Sequence, residues 1–317
     1  MTSPSPSTPA PRSPLPVAAA SVTVVLWASA FVGVRAAGAD YSPGALALGR
    51  QLSGSVALTA IVLVDAVRRG RLPRLPRGRL LIAVLTWGAA WFGLYNLALN
   101  DAERHLDAGT TALLVNLAPV LIGVLAGLFL GEGFPRRLVH GLFVSFGGVA
   151  LIAATSWAGR ADVVGVLLGL GAAILYASSA TVQKRLLTHV DALTVTWLGC
   201  LAGTVVCLPF APSLVRDATS APASSTLGMV YLGVFPTAIA FLTWGYALSR
   251  STAGRLAAST YVIPPLVVVL SWLLLAEVPA ALALFGGALC LGGVAIATLS
   301  SRRRLRPGTR GSAARAG

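Results

Sequence analysis

Charge is scarce in this chain: only 11% of its 317 residues are Asp, Glu, Lys or Arg, whereas 56% are hydrophobic. So few charged groups cannot cover the surface of a water-soluble domain, and the composition therefore predicts an integral membrane protein. The net charge of +14 does not indicate nucleic-acid binding, because most basic residues stand in short clusters between apolar runs, as in the loops of membrane proteins. Lysine is nearly absent, and Lys184 is its single occurrence.

Cysteine and histidine are also rare. Cys200, Cys207 and Cys290 lie inside apolar runs, and an odd number without a short-range pairing pattern gives no disulfide framework. The three histidines are widely separated and show no metal-ligand spacing. We therefore expect no metal and no cofactor.

The sequence lacks the motifs of common catalytic classes. It contains no HExxH, no GxSxG and no paired aspartates suited to magnesium–diphosphate chemistry. It has no GxxxxGK(S/T) nucleotide-binding loop either, since its one lysine follows Gln183. These absences argue against an enzyme and against an ATP-driven pump.

Ten apolar segments follow a Pro-, Ser- and Thr-rich tail at residues 1–14, which cannot fold by itself. Each segment is near the roughly 20 residues that cross a bilayer, and helices are the only open-ended structure that satisfies the backbone in lipid. The predicted fold is therefore an all-α polytopic membrane protein with ten transmembrane helices. The predicted spans are 15–36, 43–64, 80–100, 108–131, 138–158, 163–184, 192–212, 226–248, 255–276 and 280–301.

The basic residues predict the orientation of the chain. With the N-terminus in the cytoplasm, all but five of the 24 basic residues fall on the cytoplasmic side, a bias that is typical of membrane proteins. We therefore predict a multi-pass protein of the cell (plasma) membrane with both termini, including the basic tail at 302–317, in the cytoplasm. The five exceptions are Arg35, Arg50, Arg104, Arg160 and Arg216.

The chain contains an internal repeat. Pro119 and Pro264 lie 145 residues apart within similar apolar segments, and WASAFVGVR at 27–35 matches YASSATVQK at 176–184. These matches predict two five-helix units, and because five is odd the second unit enters the membrane upside down. Inverted repeats are typical of alternating-access carriers whose substrate site lies between the halves. The predicted units comprise residues 15–158 and 163–301.

The repeated prolines suggest gates. Proline removes a backbone donor and clashes with the carbonyl four residues before it, so Pro119 and Pro264 are expected to bend or locally open the fourth and ninth helices. These helices would then be flexing gates that line the transport path. The alternative is a pair of kinks that only improve packing.

Two acidic residues end the same helices, and they are candidates for charge coupling. Glu132 and Glu277 also lie 145 residues apart. The alternative for Glu132 is a salt bridge with the arginines that follow it, and the alternative for Glu277 is a solvated loop acid. No acidic residue falls deep inside a predicted span, which weakens a proton-antiport mechanism for cationic drugs.

Arg50 is the most informative single residue, because it lies about two helical turns inside the second predicted span. A charge at that depth is costly unless it faces protein, water or a counter-ion. It is therefore a candidate for binding a substrate carboxylate or phosphate. The alternatives are snorkelling to the outer surface or a structural salt bridge with Asp40.

Polar and aromatic residues near the middle of the spans are further candidates for a substrate cavity. Aromatic rings there could stack on an organic substrate and orient it through N–H or O–H groups. Each could instead serve packing or an interfacial belt. The candidates are Trp27, Tyr95, Asn96, Asn116, Tyr176, Gln183, Trp244 and Tyr261.

The ordered set of segments resembles a known family. WASAFVGVR, YNLALNDAERHLDAGTTALLVNLAPVLIGVLAGLFLGE and YALSRSTAGRLAASTYVIPPLVVVLSWLLLAE are similar to the EamA-like family of the drug/metabolite transporter (DMT) superfamily, over about residues 15–301. The resemblance implies ten helices, termini inside, a central cavity and export of small metabolites. Arg50 matches the arginine that the family usually carries in its second helix.

The leading hypothesis is a secondary carrier that exports small organic metabolites, such as amino acids or related compounds, by alternating access. A lipid-linked or nucleotide-sugar carrier on the same fold is the alternative within transport. An intramembrane enzyme would need motifs that the chain lacks, and a receptor would not require the repeat. The expected partners are a small-molecule substrate and the lipid bilayer, without nucleic acid, and the sequence leaves open whether the protein forms a homodimer.

Overall fold

The computed structural model describes residues 14–129, 136–157, 162–251, 256 and 259–298, and within these ranges the chain is helical without β-strands. The tail up to residue 13, the C-terminal tail and Glu132 lie outside the described residues. The main helices are α1 (Leu15–Ala37), α2 (Pro43–Arg69), α3 (Arg79–His105), α4 (Ala108–Val115), α5 (Ala118–Phe129), α6 (Arg136–Trp157), α7 (Val163–Leu186), α8 (Ala192–Ser220), α9 (Ala223–Arg250), α10 (Ile263–Leu275) and α11 (Ala281–Thr298).

Among the described residues, six helices are long and apolar enough to cross a membrane, judged by length and composition. Large apolar side chains such as Val56 and Phe143 point outward and are 70% and 71% exposed. Outward faces of this kind fit a lipid environment, because soluble monomers rarely expose large apolar patches to water. The six are α1, α2, α3, α7, α8 and α9, and shorter apolar stretches lie at Ala108–Ile122, Val139–Ile152, Thr260–Leu275 and Ala281–Gly293.

Two helices extend beyond the apolar runs that predicted them. α3 continues to His105 instead of ending near residue 100, and α8 continues to Ser220 instead of residue 212. Both extensions are more polar than the runs before them, so hydropathy missed them, but helical backbone hydrogen bonds do not depend on apolar side chains. The extension of α3 carries Glu103 into the packed bundle.

α3 and α9 each contain a π-helical turn. The turns span Ala89–Leu94 and Gly233–Ile239, so their first residues lie 144 positions apart. A π turn replaces the i→i+4 hydrogen bonds of the α-helix with i→i+5 bonds, and such turns are often found at functional sites. Neither turn follows from the hydropathy or the residue spacing.

A polar side chain braces each π turn. In α3, Asn96 Nδ2 donates to the carbonyl oxygens of Trp91 at 3.2 Å and Phe92 at 3.0 Å. In α9, Thr237 Oγ1 donates to the carbonyl oxygen of Leu232 at 2.9 Å. These bonds satisfy buried backbone acceptors that would otherwise be costly.

Pro119 and Pro264 begin helices instead of lying within continuous ones. Pro119 is the second residue of α5 and follows a break at residues 116–117. Pro264 is the second residue of α10 and follows a 3₁₀ turn at Thr260–Val262. Proline is favourable at the start of a helix, because the N–H there has no partner within the helix. Each proline therefore follows an interruption of its apolar segment, where the sequence predicted a bend or a local opening. The interrupted segments are the fourth, with Pro119, and the ninth, with Pro264.

α6 and α11 pack against each other through small residues. Ser145 Oγ donates to the Cys290 carbonyl oxygen at 3.2 Å, and Cys290 Sγ donates to the Ser145 carbonyl oxygen at 3.2 Å. A Cβ at Gly148 would lie 2.4 Å from Gly286 O, and one at Gly286 would lie 2.6 Å from Gly148 O. The two backbones therefore touch, as small residues allow in membrane helix pairs.

Arg35, Glu103 and Glu277 meet at one end of the bundle, which we call the charged end. Arg35 Nε donates to Glu277 Oε1 at 2.9 Å, and Arg35 Nη1 donates to the Glu103 carbonyl oxygen at 2.6 Å. One guanidinium thus ties α1 to α3 and to the segment that follows α10.

Candidate functional site

A cavity lies between helices from the two halves of the chain. It contains about 480 Å³ of empty space, counted together with the part open to the surroundings. The first half contributes α1, α2, α3 and the end of α4, and the second half contributes α7, α9 and α10. The lining residues are Trp27, Ala30, Phe31, Arg50, Trp91, Tyr95, Leu99, Val115, Asn116, Tyr176, Phe241 and Ile263.

An aromatic cluster forms much of the cavity wall. The ring centroid of Trp27 lies 6.5 Å from Trp91, 6.0 Å from Tyr176 and 5.3 Å from Phe241. Trp91 in turn lies 5.6 Å from Tyr176 and 5.1 Å from Phe241. Contacts of this kind hold each ring in place and present apolar faces to a ligand. The wall therefore suits the apolar part of an organic molecule.

Arg50 is the charged member among the lining residues. It is only 3% exposed, so its side chain does not snorkel to the surface. Its Nε donates to Thr237 Oγ1 at 2.8 Å, whereas Asp40 accepts a hydrogen bond from Ser225. Within the described part of the chain, Arg50 Nη1 is buried without a hydrogen-bond partner. The guanidinium therefore keeps a donor for an anionic group.

The π turn of α9 positions Arg50. Thr237, inside the turn, accepts the Arg50 hydrogen bond while it donates to Leu232 O. Gly233 opens the turn, and a Cβ there would lie 2.4 Å from Arg50 O. Glycine is thus required for α9 to approach α2 at the level of the arginine, because any side chain would strike the backbone of α2.

Asn116 connects the two interrupted helices. It follows α4, lines the cavity, and its Nδ2 donates to the Thr260 carbonyl oxygen at 3.2 Å. Thr260 lies four residues before Pro264, so this carbonyl cannot receive an N–H from the proline, and it accepts from Ile263 N–H within the 3₁₀ turn instead. Asn116 adds a second donor to this carbonyl from the first half of the chain.

Four of the nine predicted binding residues do not line the cavity, namely Asn96, Gln183, Trp244 and Tyr261. Trp244 stands behind Trp27, with ring centroids 4.9 Å apart, and its Nε1 donates to Gln183 Oε1 at 3.0 Å. Asn96 braces the π turn of α3, and Tyr261 lies partly buried in the turn before α10. The other five, which line the cavity, are Arg50, Trp27, Tyr95, Asn116 and Tyr176.

Two acidic residues have surroundings that the sequence did not predict. Glu277 follows α10 with its side chain 28% exposed, and it forms an ion pair with Arg35. Glu103 lies beyond the predicted span 80–100, near the end of α3, and is nevertheless only 2% exposed. Sequence reasoning placed Glu103 in a loop because the apolar run ends before the helix does.

Sequence reasoning also missed several apolar residues of the wall. Helical spacing could have found them, because residues three or four apart share one face of a helix. Phe31 follows Trp27 by four positions, and Trp91 precedes Tyr95 by four. The missed residues that pack around the candidates are Phe31, Trp91, Leu99 and Phe241.

The site combines one buried cation with aromatic and apolar walls. Across the ranges that the structure describes, no group of three or more His, Cys, Asp or Glu could hold a metal ion. The arrangement offers a charged donor to an anionic group and apolar faces to the rest of a ligand.

The chain is similar to known proteins over most of its length. It matches the model of the EamA-like transporter family over residues 15–154 and 163–299. A protein of Streptantibioticus cattleyicolor, named a probable terminal-alkyne amino-acid exporter, is 38% identical over 293 residues, which cover 91% of this chain and 96% of the relative. A probable amino-acid metabolite efflux pump of Escherichia coli is 25% identical over 295 residues, which cover 90% of this chain and 95% of the relative.

The fold is also similar to a solved one. A crystal structure of a protein that is 22% identical in sequence matches this chain with a TM-score of 0.60, and the match covers 91% of this chain and 98% of that one.

Proposed function

The chain belongs to the EamA-like transporter family, and from this premise we propose that it exports amino acids or related small compounds by alternating access. Family and relatives identify a membrane transporter rather than an enzyme, so a small molecule crosses the bilayer unchanged. The names of the two relatives above refer to amino acids and their metabolites, and we extend that substrate class to this chain.

The proposed transporter fold consists of two inverted five-helix repeats. The π turns, 144 positions apart, and the proline breaks, 145 positions apart, support this organisation. The exchange of hydrogen bonds between Ser145 and Cys290 supports it further. These two residues are also 145 positions apart, and residues beside a two-fold axis would make such a reciprocal contact. The repeat units proposed are 15–158 and 163–301.

The cavity is the proposed substrate site, and the buried Arg50 is the observation that carries the proposal. Its unpaired Nη1 would bind the substrate carboxylate through a charge-assisted hydrogen bond. Trp27, Tyr176 and Asn116 would enclose the rest of the molecule from both halves of the chain.

The interrupted helices are the proposed gates. A break in a membrane helix is tolerated where protein or a water-filled cavity surrounds it, and the break beside Pro119 adjoins the cavity through Asn116. The hydrogen bond from Asn116 to Thr260 couples the two breaks. Glu277, held by Arg35, is a candidate for charge coupling at the charged end, and Glu132 keeps the same proposed role.

The orientation is proposed from the distribution of basic residues. With both termini in the cytoplasm and the chain in the plasma membrane, the charged end faces the outside of the cell. Export then delivers the substrate at the charged end.

Flux into proteoliposomes tests the function through Arg50. We expect saturable transport of L-leucine or of L-propargylglycine, a terminal-alkyne amino acid, by the unaltered protein. Arg50→Ala should raise KM by about tenfold or more, because it removes a charge-assisted hydrogen bond worth about 1.5–3 kcal/mol. Arg50→Lys should retain part of the transport, because it keeps the charge without the planar geometry.

Arg69→Ala is the matched control, because Arg69 is exposed and pairs with Asp65 within α2. It should leave KM unchanged. Normal flux in a folded Arg50→Ala protein would refute the role of Arg50. Absence of saturable flux for every amino acid tried would refute amino-acid export itself.

A further inference from the structure

Glu103 is a buried carboxylate that the proposed function does not yet use. It is 2% exposed, and in the described part of the chain both Oε1 and Oε2 are buried without a hydrogen-bond partner. A carboxylate in this state is costly, because burial removes its water and nothing replaces it. Exceptions of this kind call for an explanation, and a functional role is a common one.

Glu103 lies on the cavity side of α3. Tyr95 and Leu99 line the cavity, and Glu103 follows Leu99 by four positions, so the three residues share one face of the helix. Glu103 therefore stands one turn beyond Leu99, towards the charged end. Its charge and that of Arg50 act on each other.

Glu103 belongs to a cluster of charged groups. The groups that act on it are Arg35 on α1, Arg50 on α2, Glu277 after α10 and Asp107 before α4. These two guanidinium groups and two carboxylates balance one another when Glu103 is neutral. A ligand ammonium group beside Glu103 would stabilise its ionised form.

The other members of this cluster already have partners. Arg35 donates to Glu277 and to the backbone carbonyl of Glu103. Asp107 caps α4, where its carboxylate accepts from Thr110 N at 2.8 Å and from Thr110 Oγ1 at 2.7 Å. Glu277 Oε2 is also buried without a hydrogen-bond partner among the described residues, but Arg35 holds its other oxygen. Glu103 is the acid of the cluster in which neither side-chain oxygen is paired, and Arg50 Nη1 is its unpaired cationic donor.

We propose that Glu103 binds the ammonium group of the substrate while Arg50 binds its carboxylate, so that the transported class is the zwitterionic α-amino acid. This inference rests on the proposed function and specifies its substrate. An α-amino acid carries its ammonium and carboxylate groups on the same carbon atom, so it presents both charges at one end of the molecule. Its side chain then extends along the aromatic wall formed by Trp27, Trp91 and Tyr176.

A zwitterion explains more than either simpler ligand. A monocarboxylate would satisfy Arg50 and leave Glu103 buried without a partner. A simple cation would satisfy Glu103 and leave Arg50 Nη1 unpaired. Only a molecule with both charges supplies a partner to Glu103 and to Arg50 Nη1. Charge-assisted hydrogen bonds of this kind are strong in a site from which water is excluded.

The test compares amino acids with analogues that lack the amino group. Proteoliposomes take up L-leucine or 4-methylpentanoate, and L-propargylglycine or 4-pentynoate, under the same conditions. The unaltered protein should prefer each amino acid over its analogue by about tenfold or more in kcat/KM, because the ammonium–carboxylate pair is lost in the analogue. Glu103→Gln should reduce this preference to nearly one while transport of the analogues persists.

Glu277→Gln is the matched control. It removes a neighbouring carboxylate that is already paired with Arg35. Whatever it does to the rate, it should leave the preference for the amino acid unchanged. Glu103→Asp, which keeps the charge on a shorter side chain, should retain most of the preference.

The outcomes distinguish a failure of this inference from a failure of the proposed function on which it rests. If the unaltered protein transports neither the amino acids nor their analogues, the proposed function fails. If it transports amino acids and analogues equally well, or if folded Glu103→Gln keeps the full preference, amino-acid export stands and the role of Glu103 is overturned. The first comparison needs no variant, so the inference can be refuted even where Glu103→Gln does not fold.

Discussion

The π turns of α3 and α9 open the backbone at related positions but hold different side chains. In α3, Asn96 gives both hydrogens of its amide to carbonyls of the turn, so the turn is closed on itself. In α9, Thr237 gives its one hydrogen to Leu232 O and accepts a hydrogen bond from Arg50. A hydroxyl both donates and accepts, so it can serve the turn and the arginine together. The π turn of α3 therefore supports the fold, whereas the π turn of α9 supports the candidate site.

Of the replacements in the two π turns, that of Thr237 should have the largest effect on stability and transport. Thr237→Val removes the acceptor of a buried guanidinium, and a hydrogen bond to a charged group contributes about 1.5–3 kcal/mol. We expect a lower melting temperature in detergent and an increase of about tenfold in KM for amino acids, because Arg50 loses its support. Thr237→Ser, which keeps the hydroxyl, is the control. An unchanged KM in Thr237→Val would mean that Arg50 does not depend on the turn.

Replacing Asn96 should affect stability more than transport. Asn96→Leu removes two hydrogen bonds to buried carbonyls, but it also removes Asn96 Oδ1, which is itself buried without a partner in the described structure. We therefore expect a net loss of about 1–2 kcal/mol in unfolding free energy and an unchanged KM, measured by thermal unfolding and by flux.

Asn100→Leu is the matched control for that prediction. Asn100 also lies in α3, but it donates only one hydrogen bond, to Pro43 O at 3.2 Å, outside the π turn. It should cost less stability than Asn96→Leu. A raised KM in Asn96→Leu would show that this turn also serves the site.

Replacing Pro236 should have the smallest effect. Pro236 lies inside the π turn of α9, whereas α3 forms its turn with Trp91, 145 positions earlier, at the corresponding place. Proline is therefore not needed for the turn, and Pro236→Ala should change the unfolding free energy by less than about 1 kcal/mol with KM unaltered. If the variant instead behaves like Thr237→Val, the proline is what keeps the turn of α9 open.

Much of the fold could be predicted from the sequence, because lipid imposes long apolar helices that composition reveals. The apolar segments, the repeated prolines and the depth of Arg50 were all readable in this way. The π turns were not, because each packs against another helix through contacts that only the tertiary structure brings about: the turn of α9 meets α2 at Gly233 and Arg50, and the turn of α3 meets α8 at Gly203. Glu103 was missed for a related reason: its burial is decided by neighbouring helices and not by the polar residues around it in sequence.

The sequence by itself determined the lipid-crossing character of the chain, its internal repetition and the arginine that must face protein, since each follows from transfer energies and residue spacing. The tertiary structure alone decided which side chains share the cavity and which buried charges remain unpaired. The reason is that Arg50, Thr237 and Glu103 come from three helices far apart in sequence. Their hydrogen bonds exist, or fail to exist, only after those helices have packed.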